Sequence, residues 1–261
     1  MSRLRALDSF RLDGRVALVT GADRGLGQGL AVALAEAGAD IAGLSRGGGP
    51  SAGETGQAIG ALGRRFVPIH CDLQQASVAE LQQVIAQVVA ALGRLDILVN
   101  NAGSLTPRPA LEQSEADWDA TLQVDLKALF FLSQAAARVM ASQGAGKIIN
   151  LASMLSFQGG IRVAAYAAAK SGVAGLTRAL ANEWAAQGIN VNAIAPGYMD
   201  THLTAPLLAD PDRSKAILDR IPAGRWGTPD DLAGAVVFLA APASDYVHGA
   251  ILPVDGGWLA R

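Results

Sequence analysis

The chain has 261 residues, 51% hydrophobic and 17% charged, and is therefore long and apolar enough to bury a full core. A net charge of −2 without any basic run argues against nucleic acid or an anionic membrane as a partner, and no apolar stretch has the length and continuity of a membrane span. The single cysteine, Cys71, excludes an intrachain disulfide, and the three dispersed histidines do not indicate a metal site.

The first predicted unit is a strand, a glycine-rich turn and a helix. Residues 15–20 form a short apolar run typical of a buried strand, and an Ala-rich helix is predicted from about Leu26 to Ala37. Glycines between them allow a tight turn against a pyrophosphate, whose charge the free N–H groups and the helix dipole would stabilise. The glycines are Gly21, Gly25 and Gly27. Their G-x-x-x-G-x-G spacing differs from the common G-x-G-x-x-G, but the position after a strand indicates a dinucleotide site.

The second predicted strand, residues 41–46, ends where a dinucleotide-binding sheet selects its cofactor. Ser45 occupies the position at which an acidic side chain would bind the ribose hydroxyls of NAD. Arg46 and Arg24 could instead pair with the 2′-phosphate of NADP, whereas Asp23 weakens the positive field. These residues favour NADP slightly over NAD. The glycine-rich residues 47–53 predict a flexible loop after this strand.

The third and fourth predicted strands, residues 66–71 and 95–99, end in polar or small residues. In open parallel sheets the ligand lies outside the carboxyl ends of the strands. Asp72 is therefore placed for an adenine amino group, although it could equally cap a helix. The residues expected to contact the cofactor here are Asp72, Leu73, Asn100, Ala102 and Gly103.

The remaining elements continue the alternation of helix and strand. A capping box at Ser77 opens one helix, and Thr228 caps another with Pro229 at its first position. The other predicted segments are a helix from 77 to about 91, a long helix from about 114 to 143, a strand at 147–151, a helix to about 187, a strand at 190–195 and a last strand at 251–254. This series predicts an α/β fold with a single doubly wound, Rossmann-like parallel sheet and helices on both faces.

Ser153, Tyr166 and Lys170 are the candidate catalytic residues. On a helix, positions i and i+4 share a face, so the Lys170 ammonium can lie beside the Tyr166 phenol and favour the tyrosinate. Lowering the pKa of tyrosine by about three units requires roughly 4 kcal/mol of preferential stabilisation of the anion. Ser153 could hold the substrate oxygen. The trio indicates an enzyme acting on alcohols or ketones, although Y-x-x-x-K alone often occurs by chance on an Ala-rich helix.

The order and spacing of these motifs resemble the short-chain dehydrogenase/reductase superfamily, from about residue 10 to 261. The resemblance implies that Ser153 orients the carbonyl, that Tyr166 is the general acid/base, and that Lys170 lowers its pKa and binds the ribose. It also implies a homotetramer. The loop that contacts the nicotinamide in this family is here Pro196, Gly197 and Thr201.

Asp125 departs from the family pattern. The family usually has an asparagine at this position, 28 residues before Ser153, where it helps to position a water in the proton relay to the lysine. An aspartate can still accept hydrogen bonds from that water, but it adds a negative charge and offers no amide donor. We therefore include Asp125 among the candidate catalytic residues and expect the proton relay to differ from that of the family.

Three segments, residues 147–163, 221–227 and 254–261, are similar to the 2-dehydro-3-deoxy-D-gluconate 5-dehydrogenases. That resemblance implies a small keto sugar acid as substrate and NAD as the usual cofactor. Gln158 and Arg162 lie between Ser153 and Tyr166, so Arg162 could bind a carboxylate bidentately, or else form a surface or subunit-interface ion pair. The alternatives are a gluconate 5-dehydrogenase, a 3-oxoacyl thioester reductase, or a nucleotide-binding scaffold with little catalysis.

One further expectation concerns the chain as a whole, and another concerns the loop that follows the sixth predicted strand. We expect one cytoplasmic domain over residues 1–261, because no signal-peptide pattern, linker or composition break is present. The loop from Tyr198 to about Asp210 follows the nicotinamide segment and is predicted to act as a lid that excludes water.

Overall fold

The computed structural model describes residues 5–47 and 50–261, and a parallel β-sheet lies at the centre of this part of the chain. Its strands are β1 Val16–Thr20, β2 Asp40–Ser45, β3 Phe66–His70, β4 Ile97–Asn100, β5 Gly146–Leu151, β6 Ile189–Pro196 and β7 Ile251–Val254. The strand order is β3-β2-β1-β4-β5-β6-β7, with every neighbouring pair parallel. Strands β1, β4 and β6 are buried along their whole length, as in sheets covered on both faces.

Helices cover the two faces of this sheet. They are α1 Gly25–Glu36, α2 Pro50–Ala61, α3 Val78–Leu92, α4 Glu115–Leu122, α5 Leu129–Gln143, α6 Ala164–Trp184, α7 Ala205–Leu208, α8 Pro211–Leu218 and α9 Ala233–Ala240. One hydrophobic cluster includes Val88 of α3 and Leu132 of α5, and a second includes Leu34 of α1 and Val236 of α9. The predicted doubly wound α/β fold is confirmed. Among the described helices, none is long and apolar enough to cross a membrane.

The strand order reverses beside β1, and this reversal places the site. The chain builds β1, β2 and β3 in one direction and then returns to add β4 on the other side of β1. Loops leaving β1 and β4 therefore diverge and open a crevice at their carboxyl ends. The two ends are tied together by Thr20, whose Oγ1 accepts hydrogen bonds from the amides of Asn101 and Ala102, each at 2.9 Å.

The long helix predicted from 114 to 143 is interrupted. Helix α4 and helix α5 are separated by a π-helical segment, Gln123–Ala128, with one extra residue in the turn. The bulge brings the Asp125 side chain into the interior, where it is fully buried. Hydrophobic spacing alone does not distinguish a π turn from an α turn, because both continue the same helix axis.

One loop prediction is corrected, and the structure adds detail to two further segments. The predicted flexible loop at 47–53 is wrong from residue 50 onward, because α2 begins at Pro50, where proline fits the first helical turn; residues 48 and 49 lie outside the described part. Thr228 opens a short 3-10 turn, Pro229–Leu232, before α9 begins. The segment predicted as a lid contains the short helix α7 and leads directly into α8.

Candidate active site

A cavity of about 1040 Å³ occupies the crevice at the carboxyl edge of the sheet. It is lined at one side by the glycine turn and the end of β2, and at the other by the segments after β5 and β6. Most predicted site residues line it: Gly21, Asp23, Arg24, Leu26, Gly27, Ser45, Arg46, Asp72, Leu73, Ala102, Gly103, Ser153, Gln158, Arg162, Tyr166, Lys170, Pro196, Gly197 and Thr201. Three predicted residues lie outside this lining: Gly25 of the glycine turn, and Asn100 and Asp125, which are both buried.

The candidate catalytic trio converges from two elements. Ser153 follows β5, and its Oγ accepts a hydrogen bond from the amide of Leu155 at 3.1 Å. Tyr166 and Lys170 lie one turn apart on α6, with Lys170 Nζ 5.4 Å from the centroid of the Tyr166 ring. Lys170 is buried, and its Nζ donates to the Leu151 carbonyl at 2.8 Å. The sequence spacing therefore corresponds to one shared face of a helix beside the end of a strand.

Asp125 also lies against Lys170. Its Oδ1 accepts a hydrogen bond from the Ser104 amide at 2.6 Å, and its Oδ2 lies 3.4 Å from Lys170 Nζ. Both side chains are almost inaccessible to solvent, at 0% for Asp125 and 4% for Lys170. Burial raises the pKa of Asp125, while the Lys170 charge and the Ser104 amide oppose that shift. Burial alone would lower the pKa of Lys170, but the charges of Asp125 and Tyr166 outweigh it and raise that pKa.

The pKa of Tyr166 is raised above its usual value, whereas the sequence predicted that Lys170 would lower it. Burial of the phenol raises its pKa most, and the negative charge of Asp125 raises it further. Lys170 lowers it as predicted, and a hydrogen bond with Ser153 also lowers it, but the sum of the effects is upward. The protein residues alone therefore hold Tyr166 protonated, in the form that can donate a proton to a carbonyl oxygen.

The glycine turn fits a pyrophosphate. Gly21 and Gly25 have φ angles of 67° and 57°, in the left-handed region that glycine adopts without strain. A Cβ at Gly27 would overlap the carbonyl of Gly21, so the first turn of α1 packs directly on the loop. The unpaired N–H groups at the start of α1 and the positive end of its dipole are suited to an anion. The cradle therefore has the shape and charge that a dinucleotide requires.

Asn100 was predicted to contact the cofactor, but its neighbour Asn101 is the one that lines the cavity. Asn100 does not line the cavity; its Nδ2 donates to Ser133 and Asn150, each at 2.9 Å, and so ties β4 to β5 and α5. Asn101 lines the cavity instead, and its Nδ2 donates to the Thr20 carbonyl at 2.9 Å. Successive side chains at a strand end point to opposite sides, which is the signal that could have distinguished them.

The adenosine end of the cavity carries two arginines. Within the described residues, no carboxylate is paired with Arg24 or Arg46, so both guanidinium groups remain available to a phosphate. Ser45 Oγ donates to the Gly47 carbonyl at 3.1 Å. Asp72 does not cap a helix: its Oδ1 accepts from the Gln74 amide at 3.0 Å, and Ser77 caps α3.

The opposite end of the cavity also carries arginines. Arg162 has a φ of 64°, uncommon for a side chain with a Cβ, and its carbonyl accepts a hydrogen bond from the Arg108 amide at 2.8 Å. In the described ranges Arg162 has no ion-pair partner within this chain. The sequence did not single out four further lining residues: Tyr198, Arg213, Arg220 and Trp258.

The loop after β6 borders both ends of the site. Thr201 and His202 line the cavity, and a Cβ at Gly25 would lie 3.6 Å from His202 Nδ1. Thr204 Oγ1 accepts a hydrogen bond from the Thr201 amide at 3.1 Å and fixes the turn before α7. The loop therefore lies beside the glycine turn and can cover a bound dinucleotide.

Three relatives share this arrangement of sequence and fold. Residues 21–259 match the family model described as Enoyl-(Acyl carrier protein) reductase. The chain is 56% identical over 256 residues to the 2-dehydro-3-deoxy-D-gluconate 5-dehydrogenase of Escherichia coli (strain K12), covering 98% of this chain and 99% of that protein. A crystal structure from Agrobacterium tumefaciens with bound NADP, provisionally named a 2-deoxy-D-gluconate 3-dehydrogenase, is 54% identical with a TM-score of 0.89, covering 97% and 99% of the two chains.

The third relative is a gluconate 5-dehydrogenase from Burkholderia cenocepacia J2315, whose crystal structure is a complex with NADP and tartrate. It is 42% identical with a TM-score of 0.93, and the match covers 98% of this chain and 100% of that one. Family model, relatives and structures agree over nearly the full length. The chain therefore belongs to the short-chain dehydrogenase/reductase family of NAD(P)-dependent oxidoreductases.

Proposed function

We propose that this enzyme transfers a hydride between NAD(P) and the C5 position of a sugar acid, with 2-dehydro-3-deoxy-D-gluconate as the alcohol form of the pair. The observation that carries the proposal is the trio Ser153, Tyr166 and Lys170 in one cavity with an unpaired arginine, Arg162. The 56% identity to the Escherichia coli enzyme of that name supports the same substrate class.

The proton chemistry follows from the positions of the side chains. In the reducing direction the bound nicotinamide supplies the hydride. Ser153 and Tyr166 present hydroxyl groups to the ketone oxygen, and Tyr166 donates its proton as negative charge develops there. Lys170, held by the Leu151 carbonyl, stabilises the phenolate that remains. We propose that Lys170 also binds the nicotinamide ribose.

The cofactor preference is proposed from the adenosine end of the cavity. Arg24 and Arg46 line it, whereas Ser45 stands where an acidic residue would disfavour a 2′-phosphate. Two relatives were crystallised with NADP, which supports the same preference here. We therefore propose NADP as the preferred cofactor, with NAD as the alternative.

The substrate end of the cavity supports an acidic substrate. Gln158 can hydrogen-bond hydroxyl groups of the sugar, and Arg162 can bind its carboxylate with two parallel N–H bonds. A second candidate, gluconate oxidised at carbon 5, is favoured by the likeness to the Burkholderia gluconate 5-dehydrogenase. A scaffold without catalysis is not favoured, because Ser153, Tyr166 and Lys170 all border the cavity.

We also propose a cytoplasmic homotetramer. A second groove on α4, the π-helical segment, α5 and α6 has a mixed lining, in which the apolar side chains include Leu126, Phe130, Phe131 and Leu176. Burying such a surface against another copy would be favourable. Light scattering during size-exclusion chromatography tests this assembly, and a mass of one chain at micromolar concentration would contradict it.

The activity is tested in the oxidising direction with NADP and NAD. The substrates are 2-dehydro-3-deoxy-D-gluconate and D-gluconate, and a 3-oxoacyl thioester is tested with NADPH for reduction. We expect the highest kcat/KM with 2-dehydro-3-deoxy-D-gluconate and NADP. A higher kcat/KM with gluconate or the thioester would assign the alternative substrate, and no turnover with any of them would leave a nucleotide-binding scaffold.

A further inference from the structure

The strongest unassigned feature is the guanidinium of Arg220, which lies over an aromatic ring in the wall of the cavity. Its central carbon is 4.0 Å from the centroid of the Trp258 ring, and both residues line the cavity. A guanidinium that stacks by its face keeps its N–H groups free in the plane of the fork. Those groups are the ones that bind a carboxylate bidentately.

Trp258 is a fixed platform for this stacking. Its side chain is buried, and Tyr198 packs edge-on against it with ring centroids 4.8 Å apart. The backbone around it is held by Asp255, whose two carboxylate oxygens accept hydrogen bonds from the amides of Gly257 and Leu259, each at 2.9 Å. Arg220 is therefore positioned by the C-terminal turn as well as by its own segment after α8.

The same packing connects Arg220 with the reacting end of the site. Trp258 belongs to a hydrophobic cluster with Met154, the residue after Ser153, and with Ile217 and Ile221, which flank Arg220 in sequence. A shift of the Arg220 segment would therefore have to disturb the residues next to Ser153. This packing links the ring beneath Arg220 to the segment that follows Ser153.

No acid in the described part of the chain neutralises Arg220. The adjacent Asp219 is paired with Lys215, at 2.6 Å. Asp210, which also lines the cavity, caps α8 by accepting a hydrogen bond from the Arg213 amide at 3.1 Å. The exposed guanidinium of Arg220 is therefore available to an anion that enters the cavity.

We propose that Arg220 is a specificity-determining residue that binds the carboxylate of the sugar acid, and that Trp258 is its positioning residue. The inference rests on the proposed function and deepens it, because it assigns acid selectivity to the segment after α8 in addition to Arg162. Arg213 lines the same cavity without an aromatic platform, so it serves as the matched control.

Calorimetric binding of D-gluconate and D-glucitol tests the assignment. These two ligands share a six-carbon polyol chain and differ in the carboxylate, and saturating NADPH prevents oxidation during the titration. The variants are Arg220→Met, which keeps a stem on Trp258, Arg220→Lys, which keeps the charge but loses the fork, and the control Arg213→Met. Turnover of 2-dehydro-3-deoxy-D-gluconate is measured in parallel for the parent.

We expect the parent to prefer gluconate, and Arg220→Met to weaken gluconate binding by about ten- to a hundredfold, the scale of a charge-assisted hydrogen-bonded pair, without changing glucitol binding. Arg220→Lys should recover part of the loss, and Arg213→Met should have a much smaller effect. Equal loss for both ligands, an equal effect of Arg213→Met, or a parent without carboxylate preference would overturn the proposal. Failure of the parent to turn over the keto sugar acid, with gluconate selectivity intact, would refute the proposed function alone.

Discussion

At the scale of single residues, the Tyr166 phenol experiences two opposite charges. Lys170 favours its anion, whereas burial and Asp125 favour the neutral form, and the net effect on its pKa is upward. Any positive charge brought by an oxidised nicotinamide would act in the same direction as Lys170. Without such a charge the protein favours the protonated phenol, and an added positive charge would favour the anion that oxidation of an alcohol requires.

Removing only the hydroxyl of that residue tests its role. We expect Tyr166→Phe to lower turnover at least about a hundredfold, the usual effect of losing a positioned acid/base. Cofactor affinity, measured by fluorescence titration with NADPH, should change little because the ring remains. Turnover at the parental rate would place the proton transfer on another group.

Asp125 provides a test based on pH. Its charge raises the pKa of Tyr166, so Asp125→Asn should lower that pKa. Oxidation requires deprotonated Tyr166, and the acidic limb of its pH–rate profile should therefore shift to lower pH. A profile that superimposes on the parent's, with equal rates at every pH, would mean that the buried carboxylate has no electrostatic influence on the phenol.

Arg46 provides a test of cofactor choice. We expect Arg46→Asp to lower the ratio of kcat/KM with NADP to kcat/KM with NAD, because a carboxylate repels a 2′-phosphate and can bind ribose hydroxyls. Arg138→Asp is the control, because that exposed side chain lies on α5 outside the cavity. An unchanged ratio in Arg46→Asp would place Arg46 outside the phosphate site.

The positions of some of these residues could be predicted from the sequence, and those of others could not. Tyr166 and Lys170 could be placed together because a helix fixes the direction of residues four apart. Asn100 was assigned to the cofactor, but it faces Ser133 and Asn150 in the interior. Arg220 and Trp258 could not be paired, because their contact depends on how two distant segments pack.

At the scale of elements, the first turn of α1 packs so closely on the glycine loop that no side chain fits at Gly27. A Cβ there would overlap the Gly21 carbonyl, so Gly27→Ala must displace the loop that meets the pyrophosphate. We expect NADPH affinity to fall about tenfold or more, from the usual free energy of overpacking. Gly175→Ala on α6, where a Cβ would meet nothing within 4 Å, should leave affinity unchanged. Equal affinities in fluorescence titrations of both variants would show that the turn tolerates the added methyl group.

Two elements, α2 and the π-helical segment, were not predicted from the sequence, and each omission has a physical explanation. Helix α2 contains several glycines and serine, which are weak helix formers, so tertiary packing stabilises a segment that its composition does not favour. The π-helical segment at Gln123–Ala128 gains the Asp125 contacts with Ser104 and Lys170. Those contacts lie far apart in sequence and leave no local signal.

At the scale of the molecule, the alternation of apolar strands and helices was enough to predict the doubly wound sheet, because parallel strands need helices on both faces. The position of the site followed from the same topology. Charge is distributed unevenly despite the net value of −2. Five arginines line the cavity, namely Arg24, Arg46, Arg162, Arg213 and Arg220, against three aspartates, Asp23, Asp72 and Asp210. This balance should attract an anionic cofactor and an acidic substrate.

We propose that this cavity transfers a hydride between nicotinamide and C5 of a sugar acid, and the fate of that hydride can be followed directly. The most direct measurement is mass spectrometry of the product formed from the 5-keto acid and NADPH carrying deuterium at both C4 positions. We expect a product with one deuterium bound to C5, which the parent enzyme forms rapidly and Tyr166→Phe forms only slowly. A product without deuterium, or one labelled at another carbon, would contradict it.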